Sequence, residues 1–232
     1  YILEKKKMTI DKNKKGQGVG KSNKKKNVDF LLKKEWFEVN SPKEFGEKSF
    51  GLTLGNKSVN VSKTIESLKN RNYKVNLNDI KSAEDSSHKK LTFKCYDYDE
   101  KNCLTGFCGL DTSRDKFFSM VRKWQTIIET NSDIRTKDGY FLRIFLVAFS
   151  RKRRNQTKKT SYIKASHIRT IRRKMNEILI KEGAVCLMKD LIPKLISEKL
   201  VDEIGFYGSK IYPLQNVIIK KVKVLDRPSN FY

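Results

Sequence analysis

The clearest apolar segment of the chain runs from residue 139 to residue 150. Its central ten residues read YFLRIFLVAF, and Arg143 is the one charged residue among them. Runs of this length that are rich in β-branched and aromatic residues are typical of strands buried on both faces. We therefore predict a central buried strand here.

An amphipathic helix is predicted downstream of this strand. Its apolar residues recur at offsets of three, four, seven and eight positions, which places them on one stripe of a helix. They are Ile168, Ile171, Met175, Ile178 and Leu179. Arg169, Arg172 and Arg173 lie on the opposite side of this predicted helix. Gly183 has the position expected of a glycine that ends a helix.

A second amphipathic helix is predicted over residues 112–129. Thr112 or Ser113 supplies a capping hydroxyl, and Asp115 suits the first turn. One apolar stripe at helical spacing contains Phe117, Met120, Val121, Trp124, Ile127 and Ile128. This prediction makes Trp124 a core residue.

Shorter elements are predicted on either side of these segments. Apolar and polar residues alternate as in half-buried strands over residues 73–77, 91–95 and 217–225, and residues 50–61 are weakly strand-like. Short helices are predicted at residues 187–191 and 195–204, with a break near Pro193. Because strands and helices are mixed rather than alternating, the predicted fold class is α+β, a mixed, mainly antiparallel sheet packed with helices.

The net charge of +25 is concentrated in two segments. Residues 1–26 hold ten lysines and two acidic residues, whereas residues 151–174 hold eleven lysines and arginines and no acidic residue. Such a concentration favours a polyanion partner over a charge that only keeps the chain soluble. A solvated basic face is the simpler alternative for the second segment.

The charge distribution also predicts the domain organisation. Residues 1–27 contain few apolar residues and no periodic pattern, which predicts a basic N-terminal extension that is disordered alone and ordered on RNA. Residues 28–226 are predicted to form a single α+β domain, and residues 227–232 a C-terminal tail.

Few residues of the chain suit catalysis or metal binding. Four cysteines without a C-x-x-C pair and only two histidines argue against a zinc site and for free thiols in a reducing compartment. Asp97, Asp99 and Glu100 are expected in a solvated turn. Since no apolar run reaches the length of a membrane span and no apolar signal segment opens the sequence, we expect a soluble, intracellular protein without a cofactor, a metal or a small-molecule substrate.

Several long motifs of the chain resemble one family. They include KNCLTGFCGLD at residues 101–111, SMVRKWQTIIE at 119–129, KDGYFLRIF at 137–145, KRRNQ at 152–156, IRRKM at 171–175 and IYPLQ at 211–215. They are similar to the archaeal and eukaryotic small-subunit ribosomal protein family S-three-a, also called S-one-e, and most like a divergent eukaryotic member. The likeness covers about residues 24–228.

The resemblance implies a structural component of the cytosolic small (40S) ribosomal subunit rather than an enzyme. Family members lie on the platform near the mRNA exit, which implies contacts with small-subunit ribosomal RNA, neighbouring platform proteins, mRNA and initiation factors. It also implies a location on cytoplasmic ribosomes, with assembly in the nucleus and nucleolus. The N-terminal extension before Gly20 is longer than the family pattern, and the usual tail after the last strand is absent, so the contacts of both ends stay open.

The resemblance and the residue chemistry together predict the RNA-binding residues. Lysine and arginine neutralise phosphates, Asn155 and Gln156 can reach base edges, and Tyr162 can stack on an unpaired base or, equally, pack on the start of the helix. The predicted residues are Lys24, Lys25, Lys26, Arg151, Lys152, Arg153, Arg154, Asn155, Gln156, Lys158, Lys159, Tyr162, Arg169, Arg172 and Arg173.

Two other function classes compete with this prediction. An RNA-processing enzyme such as a nuclease needs convergent carboxylates or an activated histidine, and the sequence contains no such pattern. A peripheral membrane protein held by its lysine-rich N-terminus needs apolar residues beside the lysines, which this segment lacks. A non-ribosomal RNA-binding protein is the closest alternative.

Overall fold

The computed structural model describes residues 29–57, 61–81, 86–99 and 102–228 of the chain. The described residues divide into two compact units at Lys33 and Lys34. The described part of the first unit contains one 3₁₀ helix, Phe30–Lys33. The predicted extension over residues 1–27 lies outside the described residues, as does most of the predicted tail, so these boundaries stay predictions.

The second unit contains eight strands in its described part. They are β1 (Lys34–Asn40), β2 (Ser49–Asn56), β3 (Asn72–Asn76), β4 (Lys89–Asp99), β5 (Asn102–Thr112), β6 (Ile127–Arg135), β7 (Phe141–Ser150) and β8 (Leu214–Asp226). Its described α-helices are α1 (Val61–Leu68), α2 (Leu77–Ile80), α3 (Arg114–Met120), α4 (Ala165–Val185), α5 (Met188–Ile196) and α6 (Lys199–Ser209), and a 3₁₀ helix spans Lys43–Phe45.

The strands form one mixed sheet around β5. β4 pairs with the full length of one edge of β5. The other edge of β5 is shared by two strands: β1 pairs with it near Cys103, and β8 pairs with it near Leu110. β8 continues to β7 and β6, and β1 continues to β2. The pair of β1 with β5 is parallel and the other described pairs are antiparallel. The predicted α+β class with a mainly antiparallel sheet is confirmed.

β7 is the central strand that the apolar segment predicted. It pairs with β6 on one side and β8 on the other, and its residues from Leu146 to Ser150 are all buried. On one face of the sheet, Leu142, Ile144 and Leu146 pack in the same core as residues of α4, α5 and α6. Burying each such side chain stabilises the fold by about 1.5–3 kcal/mol.

The predicted helix over residues 112–129 is wrong beyond Met120. α3 begins at the Ser113 cap, whose hydroxyl accepts from the Lys116 amide, but residues 127–135 form β6. Burial in β6 alternates strictly, and the buried side chains are Ile128, Thr130, Ser132 and Ile134. Two of these four residues are polar, so an apolar count misses the period of two. Their hydroxyls donate to the Asn176 Oδ1 atom at 2.8 and 2.6 Å, which satisfies them under α4.

Gly183 lies inside α4 and does not end it. The helix continues to Val185, and Gly183 is buried where α4 crosses β6. A Cβ atom at this position would overlap the Ile134 side chain. The glycine therefore permits the close approach of helix and strand, which is a packing role rather than the predicted stop.

Smaller predictions at element ends were also wrong. Pro193 lies within α5, and the break between α5 and α6 falls at Glu198, which has a left-handed φ of 61°. The Glu198 carboxylate binds the largely buried Lys89 ammonium at 2.6 Å. Asp97 and Asp99 belong to β4 rather than to a turn, whereas Glu100 lies outside the described residues.

Candidate nucleic-acid interface

Residues 151–164 connect β7 to α4 and form what we call the basic loop. Its start is held by a hydrogen bond from the Arg151 amide to the Pro213 carbonyl, with an N to O distance of 2.9 Å. Asn155 adopts a φ of 58°, a left-handed conformation that asparagine tolerates better than most residues. Asn155 therefore has a role in the turn of the loop, besides the base contact that the sequence predicts.

Gln156 closes this turn from the inside. Its amide oxygen accepts from the Arg153 amide at 3.2 Å, and its amide nitrogen donates to the carbonyls of Lys158 at 3.1 Å and Thr160 at 2.7 Å. Both amide hydrogens are thereby used. Gln156 shapes the loop, and it has no donor left for the base edge that the sequence predicted it to read.

Ser150 and Ser161 fix the base of the basic loop to the sheet. The buried Ser150 hydroxyl accepts from the Thr126 amide at 2.8 Å and donates to the Ser161 carbonyl at 2.6 Å. The Thr126 hydroxyl accepts from the Ile163 amide at 3.1 Å. Buried polar groups that are satisfied in this way make a rigid anchor. The loop therefore leaves the sheet and returns to it at one fixed place.

The basic loop and α4 carry a dense, exposed positive charge. Between Arg151 and Lys174, ten cations are exposed and pair with no carboxylate within residues 29–57, 61–81, 86–99 and 102–228: Arg151, Lys152, Arg153, Arg154, Lys158, Lys159, Lys164, Arg169, Arg172 and Arg173. The eleventh cation of the segment, Lys174, binds Glu177 at 2.6 Å. Uncompensated cations at this density favour binding of a polyanion.

α4 separates an apolar side from a cationic side, as the sequence predicts. Ile171 and Met175 are buried, whereas Arg169, Arg172 and Arg173 are exposed. The Arg172 Nε atom also donates to the Glu129 carbonyl at 3.0 Å. Because a guanidinium carries five N–H donors, this contact with the edge of the sheet leaves donors of Arg172 for a phosphate.

Tyr162 is the exposed aromatic residue of the basic loop. Its neighbours Ser161 and Ile163 are buried, while the Tyr162 side chain is 60% exposed. This exposure argues against the alternative that the ring packs on the start of α4. It leaves the ring accessible for stacking on an unpaired base.

Trp124 lies beside the basic loop and not in the core, which contradicts the sequence prediction. Its side chain is 46% exposed, and its φ is 70°. The Trp124 carbonyl accepts from the Ser161 amide at 2.8 Å, and the Lys159 ammonium lies 5.0 Å from the centre of the indole ring. The preceding Arg122 and Lys123 are exposed too. Because Arg122 and Lys123 also fit the polar side of a helical stripe, the sequence pattern gave no sign of this surface turn.

Replacing Trp124 with alanine is expected to change the free energy of unfolding by about 1 kcal/mol or less, because an exposed cation–π contact contributes about 0.5–1 kcal/mol. Phe149→Ala is the contrasting core variant, since Phe149 is fully buried, and it should cost about 3–5 kcal/mol. Denaturant unfolding of both variants measures the difference. Equal losses of stability in the two variants would contradict the exposed position of Trp124 and indicate a core residue.

The structure brings together most of the predicted RNA-binding residues. Those of the basic loop and of α4 follow one another along the chain and are exposed, apart from the partly buried Gln156. Lys24, Lys25 and Lys26 lie outside the described residues. The cationic surface also includes three exposed residues that the sequence placed in a helix: Arg122, Lys123 and Trp124.

The described residues hold no group of three or more histidine, cysteine, aspartate or glutamate side chains that could bind a metal ion. All four cysteines are free thiols, as predicted. Among the described helices, none is both long and apolar enough to cross a membrane.

An α+β domain with a rigid, exposed, arginine-rich loop and helix has the features of a polyanion-binding protein. The model of the ribosomal S3Ae family matches residues 22–228 of the chain. The chain belongs to this family, whose members are structural proteins of the ribosome and not enzymes. The family predicted from the motifs is confirmed.

Curated relatives support the same assignment. The chain is 45% identical over 221 residues to the small ribosomal subunit protein eS1 of Plasmodium falciparum (isolate 3D7), covering 95% of this chain and 84% of the relative. The proteins of the same name from Plasmodium yoelii yoelii and Plasmodium knowlesi (strain H) are 44% and 45% identical, with the same coverage of both chains.

Proposed function

We propose that this chain is a structural component of the small ribosomal subunit and that it binds the RNA of that subunit through the basic loop and α4. The ten exposed cations without a carboxylate partner carry this proposal. Arginine forks bind phosphates bidentately, so six arginines among the ten suit the RNA backbone. Tyr162 and Trp124 add exposed rings on which unpaired bases can stack.

The finer placement rests on the family resemblance. On this basis we propose a position on the platform near the mRNA exit, with neighbouring platform proteins as partners and with mRNA and initiation factors as further contacts. Lys24, Lys25 and Lys26 extend the RNA contact from the N-terminal side. The protein acts on cytoplasmic ribosomes after assembly in the nucleus and nucleolus.

Sedimentation tests this proposal directly. An epitope-tagged copy of the full chain, expressed in cells, should migrate with small subunits in a sucrose gradient and should stay with them through washes at moderate salt. A tagged chain that stays at the top of the gradient while binding RNA in isolation would instead support the alternative, a non-ribosomal RNA-binding protein or RNA-processing enzyme.

A further inference from the structure

The face of the sheet opposite α4, α5 and α6 contains a second cationic surface. Arg143 and Phe145 of β7 point to this open face, because they alternate with the core residues Leu142, Ile144 and Leu146. A groove of about 680 Å³ crosses the open face beside α3. Six cations line this open-face groove: Lys74, Lys90, Arg114, Lys220, Lys221 and Lys223.

The strand register explains why these cations converge. Lys90 of β4 lies opposite Asp111 of β5, which lies opposite Lys221 of β8, which lies opposite Phe145 of β7. The next row contains Lys74 of β3, Thr92 of β4, Gly109 of β5 and Lys223 of β8. Residues opposite one another project from the same face of a sheet. The short threonine and the glycine therefore leave open space between Lys74 and Lys223.

Three carboxylates already pair with cations on this face. Asp111 binds Lys221 at 2.9 Å and Glu129 binds Lys220 at 3.2 Å. Asp133 accepts from Arg143 at 2.5 and 2.7 Å, and these hydrogen bonds lower the pKa of the Asp133 carboxyl below its ordinary value. A carboxylate that lies on this face of the sheet can therefore come within ion-pair distance of its cations.

The remaining cations of the open-face groove lack such a partner. Lys74, Lys90, Lys223 and Arg114 pair with no carboxylate in the described part of the chain, and Lys74, Lys90 and Lys223 are exposed. Lys90 and Lys223 lie on opposite sides of β5. Carboxylates from another molecule could pair with these free cations, as Asp111 and Glu129 already pair with Lys221 and Lys220.

The kind of cation in the groove argues against RNA as its ligand. Two of its lysines already contact protein rings, since the Lys220 ammonium lies 4.7 Å from the centre of the Phe117 ring and the Lys223 ammonium lies 6.0 Å from that of Phe145. The groove also has one arginine among its six cations, whereas the RNA-binding surface proposed above is arginine-rich, and lysine lacks the bidentate fork of arginine.

We propose that the open-face groove docks an extended acidic segment of a protein partner, in which carboxylates alternate with apolar side chains. Lys74 and Lys223 lie in one row of the sheet on β3 and β8, three strand spacings or about 14 Å apart. Carboxylates four positions apart on an extended segment are also about 14 Å apart and match this pair. The intervening apolar side chains would contact Phe118, which is 59% exposed, and the edge of Phe117. This contact is distinct from the RNA surface and goes beyond it.

A pair of charge-reversal variants tests the proposal in the full chain. The groove variant is Lys74→Glu with Lys223→Glu, and the matched loop variant is Lys152→Glu with Lys158→Glu. The two probes are a fluorescent peptide of about eight residues that alternates glutamate with leucine, and a single-stranded RNA of about eight nucleotides. Fluorescence anisotropy at one salt concentration gives all the dissociation constants.

The groove variant should bind the peptide at least tenfold more weakly than wild type and the RNA less than threefold more weakly, and the loop variant should show the reverse. A groove variant that loses RNA and keeps the peptide would overturn the proposal and make the groove an RNA surface. Unchanged peptide binding, or no peptide binding by wild type, would overturn it in favour of a solvated face. A loop variant that keeps RNA would contradict the proposed function and leave the groove assignment standing.

Circular dichroism spectra and melting curves check that both variants fold. Should the groove variant unfold, Lys74→Gln with Lys223→Gln removes the charges without reversing them. This neutral pair should still weaken peptide binding at least fivefold, and full retention of peptide affinity would overturn the proposal.

Discussion

Replacing Arg154, Arg169 and Arg173 with glutamate is expected to lower the affinity for small-subunit RNA by roughly 10³–10⁶-fold, because each of the three charged hydrogen bonds to a phosphate contributes about 1.5–3 kcal/mol. These three arginines are exposed, so the domain should still fold when they are replaced. Arg153 and Arg172 are left unchanged because they contact the Tyr212 ring and the Glu129 carbonyl.

The salt dependence of binding gives a second readout of the same variant. Each phosphate contact that is lost should reduce the slope of log affinity against log salt by about one, so the triple variant should lose about three units between roughly 50 and 200 mM salt. The control variant replaces Lys63, Lys189 and Lys199 with glutamate. These lysines are also exposed but lie on α1, α5 and α6. Equal losses in the two variants would mean that net charge, and not this surface, drives binding.

Replacing Gly183 with alanine is expected to destabilise the domain by about 1–3 kcal/mol, because the added methyl group overlaps Ile134 in a packed core. The melting temperature should fall by roughly 2–12 °C for a domain of this size. In an open position of a helix, the same substitution would stabilise the protein by about 0.4–1 kcal/mol. The sign of the change therefore separates a packing glycine from a glycine at an open helical position.

Gly205→Ala in α6 is the matched control. A Cβ atom at Gly205 would lie 3.8 Å from the Val217 Cγ2 atom, which is ordinary van der Waals contact, so this variant should be slightly more stable than wild type. The double variant Gly183→Ala with Ile134→Ala removes the overlapping side chain and should lose less stability than the sum of its single changes. If Gly183→Ala and Gly205→Ala both stabilised the protein, the close contact of α4 and β6 would be contradicted.

The pattern of apolar residues predicted the elements whose buried residues are themselves apolar. The segment around Ile144 on β7 and the stripe containing Ile171 and Met175 on α4 bury apolar side chains, so the apolar run of β7 and the helical period of α4 are visible in the sequence. β6 buries Thr130 and Ser132, and only the partner Asn176 makes that burial favourable. Since Asn176 lies more than forty positions away along the chain, no local pattern reports it.

Pairing with β7 also overrides the helical pattern of residues 127 and 128. The outer edge of β7 offers unpaired backbone groups to a neighbouring strand, and nine residues of β6 pair with it. The predicted helical stripe includes Trp124 and Ile127, but in the structure Trp124 lies in a turn and Ile127 begins β6, and both are exposed. Tertiary contacts decide such cases, which a single sequence does not contain.

The charge of the candidate surface is visible in the sequence, whereas its geometry is not. The cations from Arg151 to Arg173 are exposed as predicted, because charge without compensating acids is visible in the sequence. The internal role of Gln156 depends on carbonyls that only the folded loop brings together. The open-face groove depends on the register of β3, β4, β5 and β8, so no motif in the sequence marks it.

The central claim is that the basic loop and α4 attach this protein to the small subunit through RNA. The most direct test expresses tagged wild type, the Arg154, Arg169 and Arg173 triple variant and its lysine control in the same cells, and measures the fraction of each that sediments with small subunits. We expect wild type and control in the small-subunit fractions, and the triple variant, folded when isolated, at the top of the gradient. Normal incorporation of the triple variant would contradict the claim.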